Sequence, residues 1–439
     1  MVIMAKMEDI VSLCKRRGFI YPGSDVYGGM AGTWDFGPMG VALKRKIMDA
    51  WWNYWVESRE DIYGVDAAII MNPRTWVASG HTATFSDPLV ECGECHSRFR
   101  ADKIADGITE SVTTEEFKAL NVKCPTCGKT NWGDIRQFNM MFSTHVGPVD
   151  DDSSIAYLRP ETAQGIFTNY KNVVDSIYPD LPFGLAQQGK AFRNEISPRD
   201  FILRDRECSQ MEIEYFVAPE TWEENFEKLL EQNHMFLTEV MGLKSENIHD
   251  IEVGEKDRAH YSKRTVDIMF DYPNGQEELM GLAYRTDFDL ANIQRESGKN
   301  MEYIVKGGTE RFIPHVIEPS IGVERLILAV LSNAYRQEEN RIVLALPEHL
   351  APYRFCVSPL LKNKPELVTK AREVYDMLRK KYQNVAWDDS GNIGKRYLKQ
   401  DEIGTPKCVV IDFDTLEDGT VTVRDRDTTE QIRIKPEEL

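Results

Sequence analysis

No apolar run in this chain approaches the roughly 18 residues that a membrane-spanning helix requires; Leu326 to Leu331 is among the longest. That excludes an ordinary transmembrane helix. Met1 to Phe19 lacks an apolar stretch followed by a small-residue cleavage site, so a cytoplasmic location is the expectation. A surplus of positive charge is also missing. The 53 Lys+Arg against 71 Asp+Glu give a net charge of −18, which argues against a general polyanion binder. Cysteine is sparse, eight in 439 residues, and Cys14, Cys208, Cys356 and Cys408 are scattered. This is not the dense disulfide framework of a small secreted protein. The glycine- and aromatic-rich stretch Tyr21 to Gly40 holds neither GxGxxG nor a phosphate-loop GK[ST], so its glycines more naturally serve tight turns.

What is present is the composition of a soluble globular protein, 42% hydrophobic and 28% charged, long enough for roughly two or three domains. The acidic excess is uneven. From Arg341 onward there are 17 Lys+Arg and 17 Asp+Glu, so the first 340 residues carry all of it. A neutral C-terminal part beside an acidic one is the less repulsive place for a polyanion.

The stretch from Leu185 to Val217 organises the rest. It reads as a strand (Leu185 to Glu195), a polar loop (Ile196 to Arg206) and a second strand (Glu207 to Val217). In the second strand Gln210, Glu212, Glu214 and Phe216 share one face, and Met211, Ile213, Tyr215 and Val217 the other, because strand side chains repeat with period two. One face is expected to be buried, and the opposite face carries carboxylates. Arg193, Arg199, Arg204 and Arg206 lie close by. Guanidinium forks beside carboxylates suit a ligand that carries both phosphate and ammonium.

Elsewhere Met7 to Arg17 reads as a short helix. Val41 to Val56 reads as a helix with Leu43, Ile47, Trp51 and Trp55 as its apolar stripe. Ile62 to Met71 reads as a buried strand stopped by Asn72-Pro73. Cys92-x-x-Cys95 and Cys124-x-x-Cys127 form two knuckles, which present four thiolates to one structural zinc ion. The 28 residues between them exceed the usual spacing of about 15–20. The alternative is four unmetallated thiols. Asp106 to Val122 and Thr221 to Ile248 read as mainly helical, and Thr265 to Tyr284 as a hairpin turning at Pro273-Asn274-Gly275. Gly322 to Leu331 begins an apolar helix with Arg325 in its first turn, where the helix dipole prefers an anion. That placement makes sense if an anionic ligand sits there. After Ala351-Pro352, strands at Phe355 to Pro359, Val385 to Trp387 and Lys407 to Phe413 alternate with a helix at Pro365 to Lys381, as in a small α/β domain. Gly391 to Arg396 is too short, and lacks the Ser/Thr, for a phosphate loop; it reads as a basic turn suited to an RNA backbone.

Four stretches carry a resemblance. They are Phe192-Arg193-Asn194-Glu195 with the arginine-rich loop and Arg204 to Glu212, GTWDFGPMG at Gly32 to Gly40, RPETAQGIF at Arg159 to Phe167, and EPSIGVER at Glu318 to Arg325. Taken in chain order they are similar to the motifs of the dimeric glycyl-tRNA synthetase family of class II aminoacyl-tRNA synthetases, and the likeness covers nearly the whole chain. It implies an α/β (α+β) fold, with an antiparallel sheet flanked by helices as the catalytic domain over residues 1–345. Insertions fall at about 90–130 (the zinc knuckles) and about 220–260 (helical). An anticodon-binding domain follows over 346–439. It further implies ATP with magnesium, glycine and tRNA(Gly) as substrates, and a homodimer built through the N-terminal motif region.

The resemblance also implies roles. Arg193 faces the α-phosphate and Arg325 the γ-phosphate, while Glu195 orients the adenine amine. Asn194, Leu203, Arg204, Cys208, Glu278, Leu279 and Gly322 complete the ATP site. Arg100, Glu161, Gln210, Glu212, Glu318 and Ser320 surround glycine, with Ser320 filling the space a larger side chain would need. Glu278 and Glu318 are magnesium or substrate contacts. Apart from the resemblance, Glu214, on the same strand face, reads simply as the ion-pair partner of a neighbouring arginine. One departure stands out: the family pattern has phenylalanine, stacked on adenine, where this chain has Cys208. Weaker ATP binding, or stacking by another side chain such as Phe201, is the expected consequence. A catalytically silent, nucleic-acid-binding relative is the alternative. It predicts loss of the arginines and glutamates that are all present here.

Overall fold

A computed structural model describes residues 6–105, 108, 112–149, 151–198, 200–255 and 258–439. Helix α1 (Met7–Arg17) buries Ile10, Leu13 and Cys14 and ends at Gly18, whose φ of 74° is open to glycine without Cβ strain. Helix α2 (Pro38–Trp52) runs on into a π turn at Asn53–Glu57. Leu43, Ile47, Trp51 and Trp55 are all buried inside this chain. The apolar stripe is therefore core and leaves other residues to face any partner.

Seven strands make the main sheet: β1 (Ile62–Gly64), β2 (Phe183–Phe192), β3 (Glu207–Val217), β4 (Ile248–Glu252), β5 (Arg264–Tyr272), β6 (Gly275–Thr286) and β7 (His315–Gly322). Their order is β4-β5-β6-β7-β3-β2-β1, antiparallel except for the β1–β2 edge. Both faces are covered. Met211, Ile213, Tyr215 and Val217 of β3 pack with α2 and with helix Val323–Ala334 in one cluster. Phe216 packs on the other face with Phe167 and Tyr170 of helix Ala163–Ile177 and with Leu290 of helix Phe288–Ser297. The carboxylate face of β3 is accordingly buried, with Glu212 1% and Glu214 0% exposed.

Three sequence expectations fail here. The first strand of the central pair stops at Phe192, so Arg193, Asn194 and Glu195 start the loop. Only Ile62–Gly64 of the stretch to Met71 is strand. Beyond it side chains replace the ladder: Gln187 Oε1 accepts from the Ala67 amide and Arg159 Nη1 donates to the Ala67 carbonyl. Within Asp106–Val122 the described helix is Thr114–Ala119 alone; residues 106, 107 and 109–111, like Arg199 of the polar loop, lie outside the described residues.

The paired cysteines sit in a small unit with its own core of Val90, Cys92, Phe117 and Trp132 and a three-stranded sheet. The C-terminal part forms a separate five-stranded sheet. Phe355–Pro359 lies between Val385–Trp387 and Lys407–Ile411, all parallel, followed by antiparallel Val421–Asp425 and Gln431–Ile434. Helix Ile393–Ile403 joins it to the rest. Its Glu402 pairs with Arg16 and Arg17 of α1, and its buried Asp401 with Arg341 and Arg424. The basic turn is also revised. Arg396 is buried and spends its guanidinium on the carbonyls of Pro359, Asp389, Ser390 and Gly391, so it is unavailable to a nucleic acid.

Candidate active site

The open end of β3, the loop before it, β6, β7 and the start of helix Val323–Ala334 enclose a cavity of about 430 Å³. Strand alternation delivers Gln210 and Glu212 to it from β3, and Glu318 and Ser320 from β7, where Glu212 and Ser320 are register partners. A bulge between β5 and β6 passes over Leu279: Ile268 pairs with Met280 and Met269 with Glu278. Such an extra residue re-aims its neighbours. Glu278 thereby reaches the cavity, whereas Leu279 turns into the core.

One end of the cavity is guanidinium. Arg193 donates from Nε to the Pro160 carbonyl (3.0 Å) and lies over the Phe85 ring. Arg325, in the first turn of its helix, donates from Nη1 to the Glu278 carbonyl (2.9 Å) and pairs with the Glu278 carboxylate (3.0 Å). Arg325 holds the Glu278 carboxyl below its ordinary range. Arg193 and Arg325 are close enough that Arg325 counts against the charge of Arg193. Glu195 sits nearby with one buried oxygen, Oε2, that lacks a hydrogen-bond donor among the described residues; Arg204 Nη1 stands 3.6 Å away. Asp205 and Cys208 line the same end, and burial pushes them up to about 8 and about 12.

The other end is carboxylate. Glu212 accepts from Thr162 Oγ1 (2.5 Å) and Ser320 Oγ (2.8 Å). Glu161 lies 3.4 Å from His81 Nε2. Burial would raise the Glu161 carboxyl, but His81, Arg285 and Arg193 outweigh it and hold it low. Glu318 accepts from Arg285 Nη1 (2.5 Å), and Arg285 is clamped by Asp289 at 2.8 and 3.0 Å. Arg100 lines the cavity but is already paired with Asp87 (2.9 Å) and Asp102 (2.8 Å).

An arginine end that fits a polyphosphate and an acid end that fits an ammonium therefore share one chamber. Comparison with known proteins shows the family. Residues 143–334 match the family described as tRNA synthetase class II core domain (G, H, P, S and T), and residues 354–439 the anticodon binding domain. The chain is similar to glycine–tRNA ligase of Clostridium kluyveri, 49% identical over 453 residues that cover 99% of this chain and 96% of the relative. The glycine–tRNA ligases of Lachnospira eligens (48%, 99% and 97% covered) and Malacoplasma penetrans (47%, 98% and 96% covered) are similar at the same level. The chain belongs to the glycine–tRNA ligase family.

As a glycine–tRNA ligase family member, the chain brings most of the expected residues to one place. Arg100, Glu161, Arg193, Glu195, Leu203 and Arg204 line the cavity, as do Cys208, Gln210, Glu212, Glu278, Glu318, Ser320, Gly322 and Arg325. Two do not. Asn194 faces a neighbouring groove between the loop and the cysteine unit, and Leu279 is the buried bulge residue. Phe201 is no substitute for an aromatic at position 208, because it packs edge-on against Trp34 (4.8 Å) in the core. Glu214 pairs with no arginine among the described residues; both its oxygens are buried without a hydrogen-bond partner there. Gly322, at φ −76°, caps its helix in ordinary extended backbone.

Sequence reasoning missed Arg285, Asp289 and Tyr261. The Arg285 guanidinium lies 3.7 Å from the Tyr261 ring centre, and Tyr261, with Arg258 and Ala259, lines the cavity from the segment after β4. An arginine four residues before an aspartate at the strand-to-helix junction was the available signal. Nothing local marks Tyr261.

The four cysteines converge as a pair of matched turns. His96 N bonds to Cys92 O (2.9 Å) and Gly128 N to Cys124 O (2.8 Å). Cys92–Cys127 and Cys95–Cys124 sulfurs are each 3.6 Å apart, and all four lie within 4.8 Å. His96 instead pairs with Glu91.

Proposed function

We propose that this chain activates glycine with ATP and transfers it to the 3′ end of tRNA(Gly). The observation that carries the reading is the bipolar cavity: Arg193 and Arg325 at one end, Glu161, Glu212 and Glu318 at the other. The glycine carboxylate attacks the α-phosphorus and pyrophosphate leaves. Charge gathered in that step is stabilised by cations already fixed in place, the largest single effect in such chemistry. Arg193 serves the α-phosphate side and Arg325 the γ-phosphate side. Glu195 Oε2, buried and lacking a donor, takes the adenine amine. ATP is used with magnesium, which would supply charge neutralisation at the phosphate oxygens; Glu278, partly exposed beside Arg325, is the carboxylate that would hold it. Glu318, buried beside Glu212 at the acid end, is assigned to the substrate ammonium. In the second step the tRNA hydroxyl attacks the carbonyl carbon and AMP leaves.

Glycine is selected by room. Ser320, held by Glu212, fills the space beside the ammonium, and a glycine enzyme faces no smaller competitor, for which discrimination by a missing methylene would be worth only about 1–3 kcal/mol. The cysteine unit is a structural zinc site. Tetrahedral zinc–sulfur bonds of about 2.3 Å place sulfurs about 3.8 Å apart, which the 3.6 Å pairs fit. Four ligands leave no open position for chemistry.

The catalytic unit spans 1–345, with the zinc knuckles at about 90–130 and the helical insertion at about 220–260 as its additions, and 346–439 takes the anticodon. The enzyme works as a cytoplasmic homodimer. Val26, Tyr27, Met30 and Val41, apolar and exposed near the start of α2, support that assembly.

Amino-acid-dependent ATP–pyrophosphate exchange with all twenty amino acids tests the activity. Glycine alone should support exchange; exchange with serine, threonine or proline, or none at all, contradicts it. Metal analysis under reducing conditions should find one zinc per chain, and its absence ends the zinc assignment.

A further inference from the structure

Beneath the acid end of the cavity lies a carboxyl that the reaction scheme does not use. Strand β3 continues from Gln210 and Glu212, which line the cavity, to Glu214, which lies behind it. Glu214 is fully buried, and neither oxygen has a hydrogen-bond partner among the described residues. Orphaned buried acceptors are costly and rare. Its neighbours are satisfied: Glu212 by Thr162 and Ser320, Glu318 by Arg285. Oxygens of Glu212, Glu214 and Glu318 all fall within 4.8 Å of one another.

Among the described residues, the charged groups that act on Glu214 are Glu212 on its own strand, Glu318 on β7, Arg285 on β6 and Asp289 on the helix after β6. Arg285 is the single cation among them, and Asp289 and Glu318 already share it. Ionised, Glu214 would have neither a donor nor a cation of its own. A proton on it removes the charge and supplies an O–H to a neighbouring carboxylate, the usual solution for crowded carboxyls. Burial, then the Glu318 charge, push its carboxyl well above the ordinary range. Glu318 is pushed the same way, against Arg285, but Glu214 is the one without a hydrogen bond, so the proton rests there.

We propose that Glu214 holds a proton in the free enzyme and releases it when the glycine ammonium enters, so that glycine binding is coupled to proton loss. The inference rests on the glycine-activating reading above. The balance is simple: protonated enzyme plus glycine gives the glycine complex plus one proton to solvent. The ammonium supplies the positive charge that the cluster otherwise takes from the proton. Glu214 is thus a positioning residue that acts through Glu212 and Glu318.

The test is calorimetric titration of glycine into the full-length enzyme in phosphate and in Tris, whose ionisation heats differ. Wild type should release close to one proton per glycine. Its KM for glycine, read by pyrophosphate exchange, should fall by up to tenfold per pH unit while the free enzyme still holds the proton. Glu214→Gln should release correspondingly less and flatten that slope, and Glu214→Met, which cannot hydrogen-bond, should do the same. His81 beside Glu161 is another proton carrier in reach; it is present in every protein tested, so the difference isolates position 214. No proton release by wild type overturns the proposal, as does undiminished release by a folded variant. If neither variant folds, difference infrared spectroscopy of wild type decides: loss of a protonated-carboxyl C=O band on glycine binding supports the coupling, and an unchanged band refutes it. Loss of glycine-dependent exchange altogether would strike the functional reading and this inference with it, whereas exchange without proton release strikes this inference only.

Discussion

The two ends of the cavity are held by opposite means. At the arginine end the anchors are mainly backbone carbonyls, with the partly exposed Glu278 carboxylate added at Arg325. Pro160 fixes Arg193, and Leu203 and Glu278 fix Arg325, so the guanidinium groups are oriented by main chain that survives their removal. At the carboxylate end side chains hold side chains. Thr162 and Ser320 hold Glu212, Arg285 holds Glu318, and Asp289 holds Arg285. The difference teaches where function and fold separate. Losing an arginine from the first end should cost rate and little stability, whereas losing a member of the second should cost both.

Arg285→Met should have the largest effect. It strands the buried Asp289 and Glu318 carboxylates, and breaking a buried ion pair typically destabilises by ~3–5 kcal/mol. Urea unfolding measures this; a loss under ~1 kcal/mol would dissolve the contrast between the ends. Arg193→Ala and Arg325→Ala should each lower the pyrophosphate-exchange rate by roughly 10²–10³. Their melting temperatures should stay near wild type, and a collapse of stability would show that the arginine end is structural after all. Ser320→Ala sharpens the comparison from inside the acid end. It removes one of the two donors to Glu212, worth about 1.5–3 kcal/mol for a charged acceptor, so KM for glycine should rise roughly tenfold or more. The smallest effect concerns Cys208, at the arginine end. With its thiol pushed up to about 12 by burial, only a fraction on the order of 10⁻⁴ is thiolate at pH 8. Iodoacetamide should modify it far more slowly than an exposed cysteine, saturating ATP should slow it further, and modification should impair activation. No protection by ATP would place Cys208 outside the adenine pocket.

Local pattern made much of this legible. Period-two alternation placed β3 at its observed limits and set Gln210 and Glu212 on one face. Four-residue spacing identified Leu43, Ile47, Trp51 and Trp55 as one buried stripe. Paired knuckles predicted that four cysteines would meet across 28 intervening residues. What alternation cannot report is what covers a face. The carboxylate side of β3 looks solvated in sequence, yet helix Ala163–Ile177, from a distant stretch, packs on that face at Phe216, and Glu214 is fully buried. The strand expected through Met71 ends at Gly64 because Gln187 and Arg159, more than ninety residues away, take over its backbone groups. The bulge that sends Glu278 to the cavity and Leu279 to the core depends on the register of β5 against β6, which neither strand states alone. Phe201 and Arg396 have suitable chemistry for ligand binding, but tertiary packing commits both elsewhere.

The most direct measurement is a crystal structure with a non-hydrolysable analogue of glycyl-adenylate and one with ATP. The account predicts the triphosphate between Arg193 and Arg325, the adenine amine at Glu195, and the amino acid's ammonium among Glu161, Glu212 and Glu318. Phosphates seated away from both arginines, or an ammonium with no carboxylate against it, would contradict the bipolar cavity.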